Sequence, residues 1–222
     1  MRYLPIAAAV VAATTTTHAE DVYVCGWFSG NVIRCNSDGS SCTTLVPTGG
    51  GGLSLAHALE LAPSGTLMVA SFGNHRVLEY DASSGAFLGA FVEPSSGGLV
   101  NPSDVTFGPD GDAYVTSFGT GQVLRYDGIT GDFVEAFVAS GLASPESLVF
   151  GPDGNLYVLS GVQASVRRYN GVTGAFIDVF VASGAGGLDD PHSLMFGPDG
   201  HLYISAFGNS RILRFDGMTG AF

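Results

Sequence analysis

Two histidines and a glutamate recur at one position of a repeated pattern in this 222-residue chain. His57, Ser103, Glu146 and His192 follow Ala56, Pro102, Pro145 and Pro191, and each stands four residues ahead of the same kind of turn sequence. Two imidazoles and a carboxylate are the donor set of a divalent metal such as zinc; calcium would need further oxygens, from Asp104 and backbone carbonyls. A metal held there would acidify a bound water or substrate, and a histidine beside it could serve as general base in an elimination. His57, Glu146 and His192 are therefore the candidate metal ligands, and Ser103 and Asp104 the candidate ligand-binding groups. No catalytic residue is assigned. The same polar side chains also suit a plainer role, hydrogen bonding to backbone and water where a loop enters a strand.

The elements that position them follow from the repeat. Phe107-Gly-Pro-Asp-Gly111, Phe150-Gly-Pro-Asp-Gly154, Phe196-Gly-Pro-Asp-Gly200 and the weaker Leu61-Ala-Pro-Ser-Gly65 place their closing glycines 46, 43 and 46 residues apart. After each comes a strand-like run, a loop, a second run ending in Tyr80, Tyr126, Tyr169 or Phe215, a turn such as Asp127-Gly-Ile-Thr-Gly131, and a third run. With the short run that leads into the motif, each unit holds four strands, which is the signature of a β-propeller blade. One such sheet cannot bury both faces alone, so neighbours stack around an axis with their first strands innermost. The two kinds of glycine turn, which need positive φ, fall on one face. Loops such as Phe72-Gly-Asn-His-Arg76 fall on the other, with the candidate residues.

The reading is all-β, with about four and three-quarter blades in residues 20–222 at the 46-residue period. The N-terminal blade is expected to lack a first strand. The last stops as its fourth strand begins, so the expectation is a fragment of a six-bladed propeller, incomplete at the C-terminus. Residues 1–19 read as a signal peptide, with Arg2, an apolar run from Leu4 to Ala13, and Thr17-His18-Ala19 before the cleavage site. No later run reaches membrane-spanning length, so a secreted protein, extracellular or periplasmic, is expected, and a monomer.

Charge narrows the partners. Loss of Arg2 leaves seven arginines and no lysine against 20 acidic residues. Nucleic acid is a poor partner for such a surface, because phosphate binding needs basic groups; cations or basic ligands suit it better. Asp110, Asp153 and Asp199 read as turn caps rather than calcium ligands. Arg125, Arg168 and Arg214 recur at the third strand with Asp127, Asn170 and Asp216 nearby, and read as forming ion pairs between outer strands. His75 and His201 have no counterpart in the other repeats. There is no Gly-x-Ser-x-Gly elbow, phosphate loop or dinucleotide fingerprint.

Cys35 and Cys42 occupy the positions of Tyr80 and Phe87, Tyr126 and Phe133, and Tyr169 and Phe176, aromatic pairs that flank the turn between strands three and four. Facing each other there, they should form a disulfide in an oxidising compartment. Cys25 should pack as a small apolar residue.

Ser71-Phe-Gly-Asn-His-Arg-Val-Leu-Glu-Tyr-Asp81 and Ala206-Phe-Gly-Asn-Ser-Arg-Ile-Leu-Arg-Phe-Asp216 resemble the NHL repeat, and the resemblance extends over nearly all of residues 20–222. Phe118-Gly-Thr-Gly-Gln122 and Gly161-Val-Gln-Ala-Ser165 depart from it. The resemblance implies kinship with propellers that include streptogramin lyases, peptidyl-hydroxyglycine lyases and gluconolactonase-like hydrolases, and with many binding scaffolds. Such lyases are similar in placing histidines near the starts of the first strands. Two functions follow as expectations: a scaffold for a protein or small-molecule ligand, and a metal-assisted lyase or lactone hydrolase.

Overall fold

The computed structural model describes residues 10–12 and 21–222; the rest of the expected signal peptide lies outside the described residues. Every sheet is antiparallel with its strands in chain order. The first holds β1 (Val10–Ala12), β2 (Asp21–Gly26), β3 (Asn31–Asn36) and β4 (Cys42–Val46), and the second β5 (Ala56–Leu61), β6 (Thr66–Ser71), β7 (Arg76–Asp81) and β8 (Phe87–Val92). The third holds β9 (Pro102–Phe107), β10 (Ala113–Ser117), β11 (Gln122–Tyr126) and β12 (Phe133–Val138). The fourth holds β13 (Pro145–Phe150), β14 (Leu156–Ser160), β15 (Ser165–Tyr169) and β16 (Phe176–Val181); β17 (Pro191–Phe196), β18 (Leu202–Ala206) and β19 (Arg211–Phe215) make a three-stranded fifth. The expected blades and their strand boundaries are thus present, and the fold is an all-β propeller.

One expectation is corrected. The first blade does have a first strand, because Val10–Ala12 pairs with β2 in the register Val10↔Val24. Val10-Val11-Ala12 combines two β-branched residues with a small one, a sequence suited to a strand as well as to the apolar run of a leader. Among the described residues no helix is long and apolar enough to cross a membrane.

The chain divides into two compact units, Met1–Val105 and Thr106–Phe222. In the first, Tyr23, Leu59, Leu67, Val69, Leu78 and Tyr80 share one buried cluster, and the Tyr23 hydroxyl donates to the Ala82 carbonyl at 3.1 Å. Cys25 is fully buried in the same cluster, as expected of a small apolar residue.

The second unit shows what the Phe-Gly-Pro-Asp-Gly sequence accomplishes. Tyr114 lies edge-on between Phe137 of its own blade and Phe150 of the next, each 4.9 Å away. Tyr157 lies likewise between Phe180 at 4.9 Å and Phe196 at 5.0 Å. The motif's phenylalanine therefore covers the tyrosine of the preceding blade. The motif's aspartate serves its own blade: Asp110 accepts from Tyr114 Oη at 2.9 Å and Asp153 from Tyr157 Oη at 3.0 Å. Burial first, and then the hydrogen bond to Asp153, push the Tyr157 phenol up to about 12. Burying each ring stabilises by roughly 2–3 kcal/mol, and edge-to-face packing by about 1 kcal/mol more. In the second blade Met68 stands where the third to fifth blades have tyrosine and Ser64 where they have aspartate, so the weaker motif lacks both partners together.

The arginines form the expected ion pairs between outer strands, with carboxylates other than those next to them in sequence. Arg125 meets Asp110 and Asp112 at 2.8 Å and Glu135 at 3.2 Å. Arg168 pairs with Asp178 on the outer strand and lies 3.8 Å from Asp153, and Arg214 lies 3.9 Å from Asp199. Asp127 instead accepts the backbone N–H groups of Ile129 and Thr130 in its own turn. Cross-strand neighbours, such as Arg125 opposite Glu135 and Tyr114, decide the pairing.

Cys35 and Cys42 are cross-strand partners and form the expected disulfide. It closes a loop with a sequence separation of 7. On the chain-entropy account a loop of that size adds about 2 kcal/mol. We expect Cys35→Ser/Cys42→Ser to lower the unfolding free energy by about this amount in a denaturant titration with an unchanged slope; an unchanged midpoint would show that the bridge contributes nothing.

Candidate functional site

The first strands of the second, fourth and fifth blades start with the same irregularity. In β5, Ala56 pairs with Ser71 and Ala58 with Ala70, which leaves His57 as the extra residue of a β-bulge. In β13, Pro145 pairs with Ser160 and Ser147 with Leu159, leaving Glu146. In β17, Pro191 pairs with Ala206 and Ser193 with Ser205, leaving His192. A bulge takes one residue out of the ladder and re-aims its side chain. All three expected metal ligands are thus bulge residues, a feature that period-two reading of the sequence does not reveal.

The backbone just before each bulge is strained. Leu55, Asn101, Ser144 and Asp190 directly precede the first strands, and all have positive φ, between 45° and 52°. A non-glycine residue in this region costs about 1–2 kcal/mol, and such strain clusters at functional sites. The left-handed residue also ties the site together. Its carbonyl accepts the N–H of the residue that follows the second strand: Leu55 from Phe72 at 3.2 Å, Ser144 from Gly161 at 3.2 Å, Asp190 from Phe207 at 3.0 Å. Only Asn101-Pro and Asp190-Pro hint at this in sequence.

Within the first unit His57 is enclosed by rings. Trp27 meets it edge-on at 4.8 Å, and Phe72 lies nearly parallel at 5.6 Å. Phe72 is fixed in turn by Asn101, whose side-chain amide donates to the Phe72 carbonyl at 2.9 Å. The Asn101 backbone N–H donates to His75 Nδ1 at 3.0 Å, so that ring carries its proton on Nε2. Of the two expected ligand-binding groups, Ser103 is fully buried and Asp104 partly so, its Oδ1 accepting the Val105 N–H at 2.9 Å.

Within the second unit the structure brings Glu146 and His192 together, with Glu146 Oε2 3.9 Å from His192 Nδ1. Asp190 Oδ1 lies 3.6 Å from His192 Nε2. The imidazole therefore stands between two carboxylates, one buried and one open. Gly161 makes room for Glu146: a Cβ there would lie 2.9 Å from Glu146 Cγ and 3.0 Å from Oε1. His201 accompanies the Asp199 turn, its backbone N–H donating to Asp199 Oδ1 at 3.1 Å.

A further carboxyl on β5 escaped the sequence reading. Past the bulge, Leu59 enters the core while Glu60 points the other way, with Asp104 as its charged neighbour. Burial, and then repulsion from Asp104, push the Glu60 carboxyl up to about 8. Its folded pKa lies above its unfolded value, so its contribution to stability is full below about 4.5 and is lost as pH rises towards about 8. Glu60→Gln should abolish that decline, making the variant the more stable protein at and above pH ~8. Parallel pH–stability curves for the two proteins would remove Glu60 as its source.

No protein-family model matches the chain, and no curated protein does. Solved structures do. The nidogen in a nidogen/laminin complex superposes with a TM-score of 0.73 at 17% identity, covering 89% of this chain and 72% of that one. A catalytically inactive histidine-to-alanine variant of virginiamycin B lyase from Staphylococcus aureus, with quinupristin, gives 0.65 at 15%, covering 95% and 70%. A gluconolactonase from Xanthomonas campestris gives 0.73 at 18%, covering 90% and 70%. Binding protein, lyase and lactonase share the one architecture, and at these identities the likeness is one of fold. Five antiparallel sheets with their strands in chain order and these structural neighbours make the chain a β-propeller.

Proposed function

We propose that this chain is a secreted NHL-type propeller that binds a small-molecule or protein ligand at the starts of its first strands. The observation that carries the proposal is the repeated bulge, which takes His57, Glu146 and His192 out of their ladders at one position of the repeat. Bulges that re-aim a side chain are over-represented beside functional sites. Secretion is supported by the Cys35–Cys42 disulfide, since such bonds persist in oxidising compartments. A nidogen seen in complex with laminin supports protein as one class of partner.

A second reading is favoured by the closeness of Glu146 and His192: a metal-assisted lyase or lactone hydrolase. His57, Glu146 and His192 would hold a divalent ion, zinc by donor type, or calcium with oxygens added by Asp104 and backbone carbonyls. When bound, the ion would supply Lewis acidity to a substrate or water. The chain's own part is to keep the donors apart from the ladder, to hold Glu146 in the space left by Gly161, and to present histidine nitrogens able to accept a proton.

The deciding measurement is metal content by plasma mass spectrometry on mature protein, wild type against His57→Ala/His192→Ala at equal folding. Near-stoichiometric zinc or calcium that is lost in the variant is the expected result for the metal site, and lyase and lactone substrates would then be screened. If neither protein holds metal after reconstitution, the catalytic reading falls and ligand binding alone remains.

A further inference from the structure

The residue directly after the second strand is aromatic in four blades, as Trp27, Phe72, Phe118 and Phe207, and glycine in the fourth, as Gly161. In the second, fourth and fifth blades the N–H at this position is held by the left-handed residue before the bulge. It is therefore fixed against the bulge residue of the same blade: Phe72 on His57, and Phe207 on His192 at 5.4 Å. Gly161 is the exception that fits the rule, because a side chain there would overrun Glu146.

These rings differ from the aromatic residues of the core. Tyr80, Tyr114, Tyr126 and Tyr157 are almost completely buried, whereas Phe207 is 53% exposed and Phe28, edge-on to Trp27, is 65% exposed. Trp27 and Phe72, 4.9 Å apart, are only partly covered. Aromatic faces left partly open beside polar, re-aimed side chains are a recognition surface. The charge balance says what they recognise: 20 acidic residues stand against 8 basic ones, and the faces of aromatic rings attract cations.

We infer that Trp27 and Phe72, which follow the second strands of the first two blades, form within the first unit a specificity subsite for an aromatic cation. This subsite rests on the reading that the starts of the first strands form the ligand site. Trp27 and Phe72 receive the flat face of the ligand, and Phe72 also keeps His57 in place, so ring binding and the polar column are adjacent but separable functions.

Trp27 is the chain's only tryptophan, so its fluorescence reports on this position alone. The whole protein is titrated with benzyltrimethylammonium in the presence of a chelator, so that failure of the metal assay leaves this test intact. Saturable quenching of Trp27 is expected. Cyclohexyltrimethylammonium, equal in charge but not flat, and benzenesulfonate, flat but negative, should each bind roughly tenfold more weakly. Phe72→Leu should cost a similar factor, Phe72→Tyr should retain binding, and Phe176→Leu, on an exposed outer-strand ring, should change nothing. Equal binding of either control compound overturns the proposal, as does an unaffected Phe72→Leu or a weakened Phe176→Leu. If Phe72→Leu loses its folded circular dichroism, the two control compounds and Phe72→Tyr still decide.

Discussion

A four-stranded sheet has two faces to cover and can cover neither with its own side chains. In this protein the requirement is met by one contact made repeatedly, a second-strand tyrosine held edge-on between a phenylalanine of its own blade and the motif phenylalanine of the next, as at Tyr114 and Tyr157. The contact explains why Phe-Gly-Pro-Asp-Gly is spelled out so fully. Phenylalanine reaches the preceding blade, aspartate takes the tyrosine hydroxyl, and the last glycine, with φ between 76° and 85°, turns the chain into the second strand. Where the tyrosine is absent, in the second blade, aspartate is absent too.

The packed faces make the irregular ends affordable. A left-handed non-glycine residue followed by a bulge is costly in isolation, yet it starts the first strand at β5, β13 and β17. What it achieves is chemical: histidine and glutamate side chains leave the ladder, and the carbonyl freed by the turn fixes the residue after the second strand. Glu146 and Gly161 show how tightly these two positions are coupled, since the size of one sets the space for the other.

The distribution of charge follows the same division of labour. Arginines pair along the strands with turn and outer-strand carboxylates, as Arg125 does with Asp110, Asp112 and Glu135. Glu60, with Asp104 as its like-charged neighbour, is held as the neutral acid to about pH 8 by burial first and that repulsion second. A nidogen bound to laminin, a lyase and a gluconolactonase have this architecture in common, so the blades alone do not specify a function.

Most of the fold was legible in the sequence because the constraints that set it are local and repeated. Glycine turns at fixed spacing mark the hairpins, aromatic pairs mark the strands beside them, and Cys35 and Cys42 are found by standing in the place of such a pair. The first strand of the first blade was missed because Val10-Val11-Ala12 satisfies a leader's apolar run and a strand equally well. At the site, the sequence by itself identified the column His57, Glu146 and His192. Only the tertiary structure showed that these residues are bulged, that Trp27 and Phe72 enclose His57, that Gly161 accommodates Glu146, and that Glu60 faces Asp104. Bulges, left-handed turns and ring contacts arise from pairing register and from residues distant in the chain, which a period read along one strand does not encode.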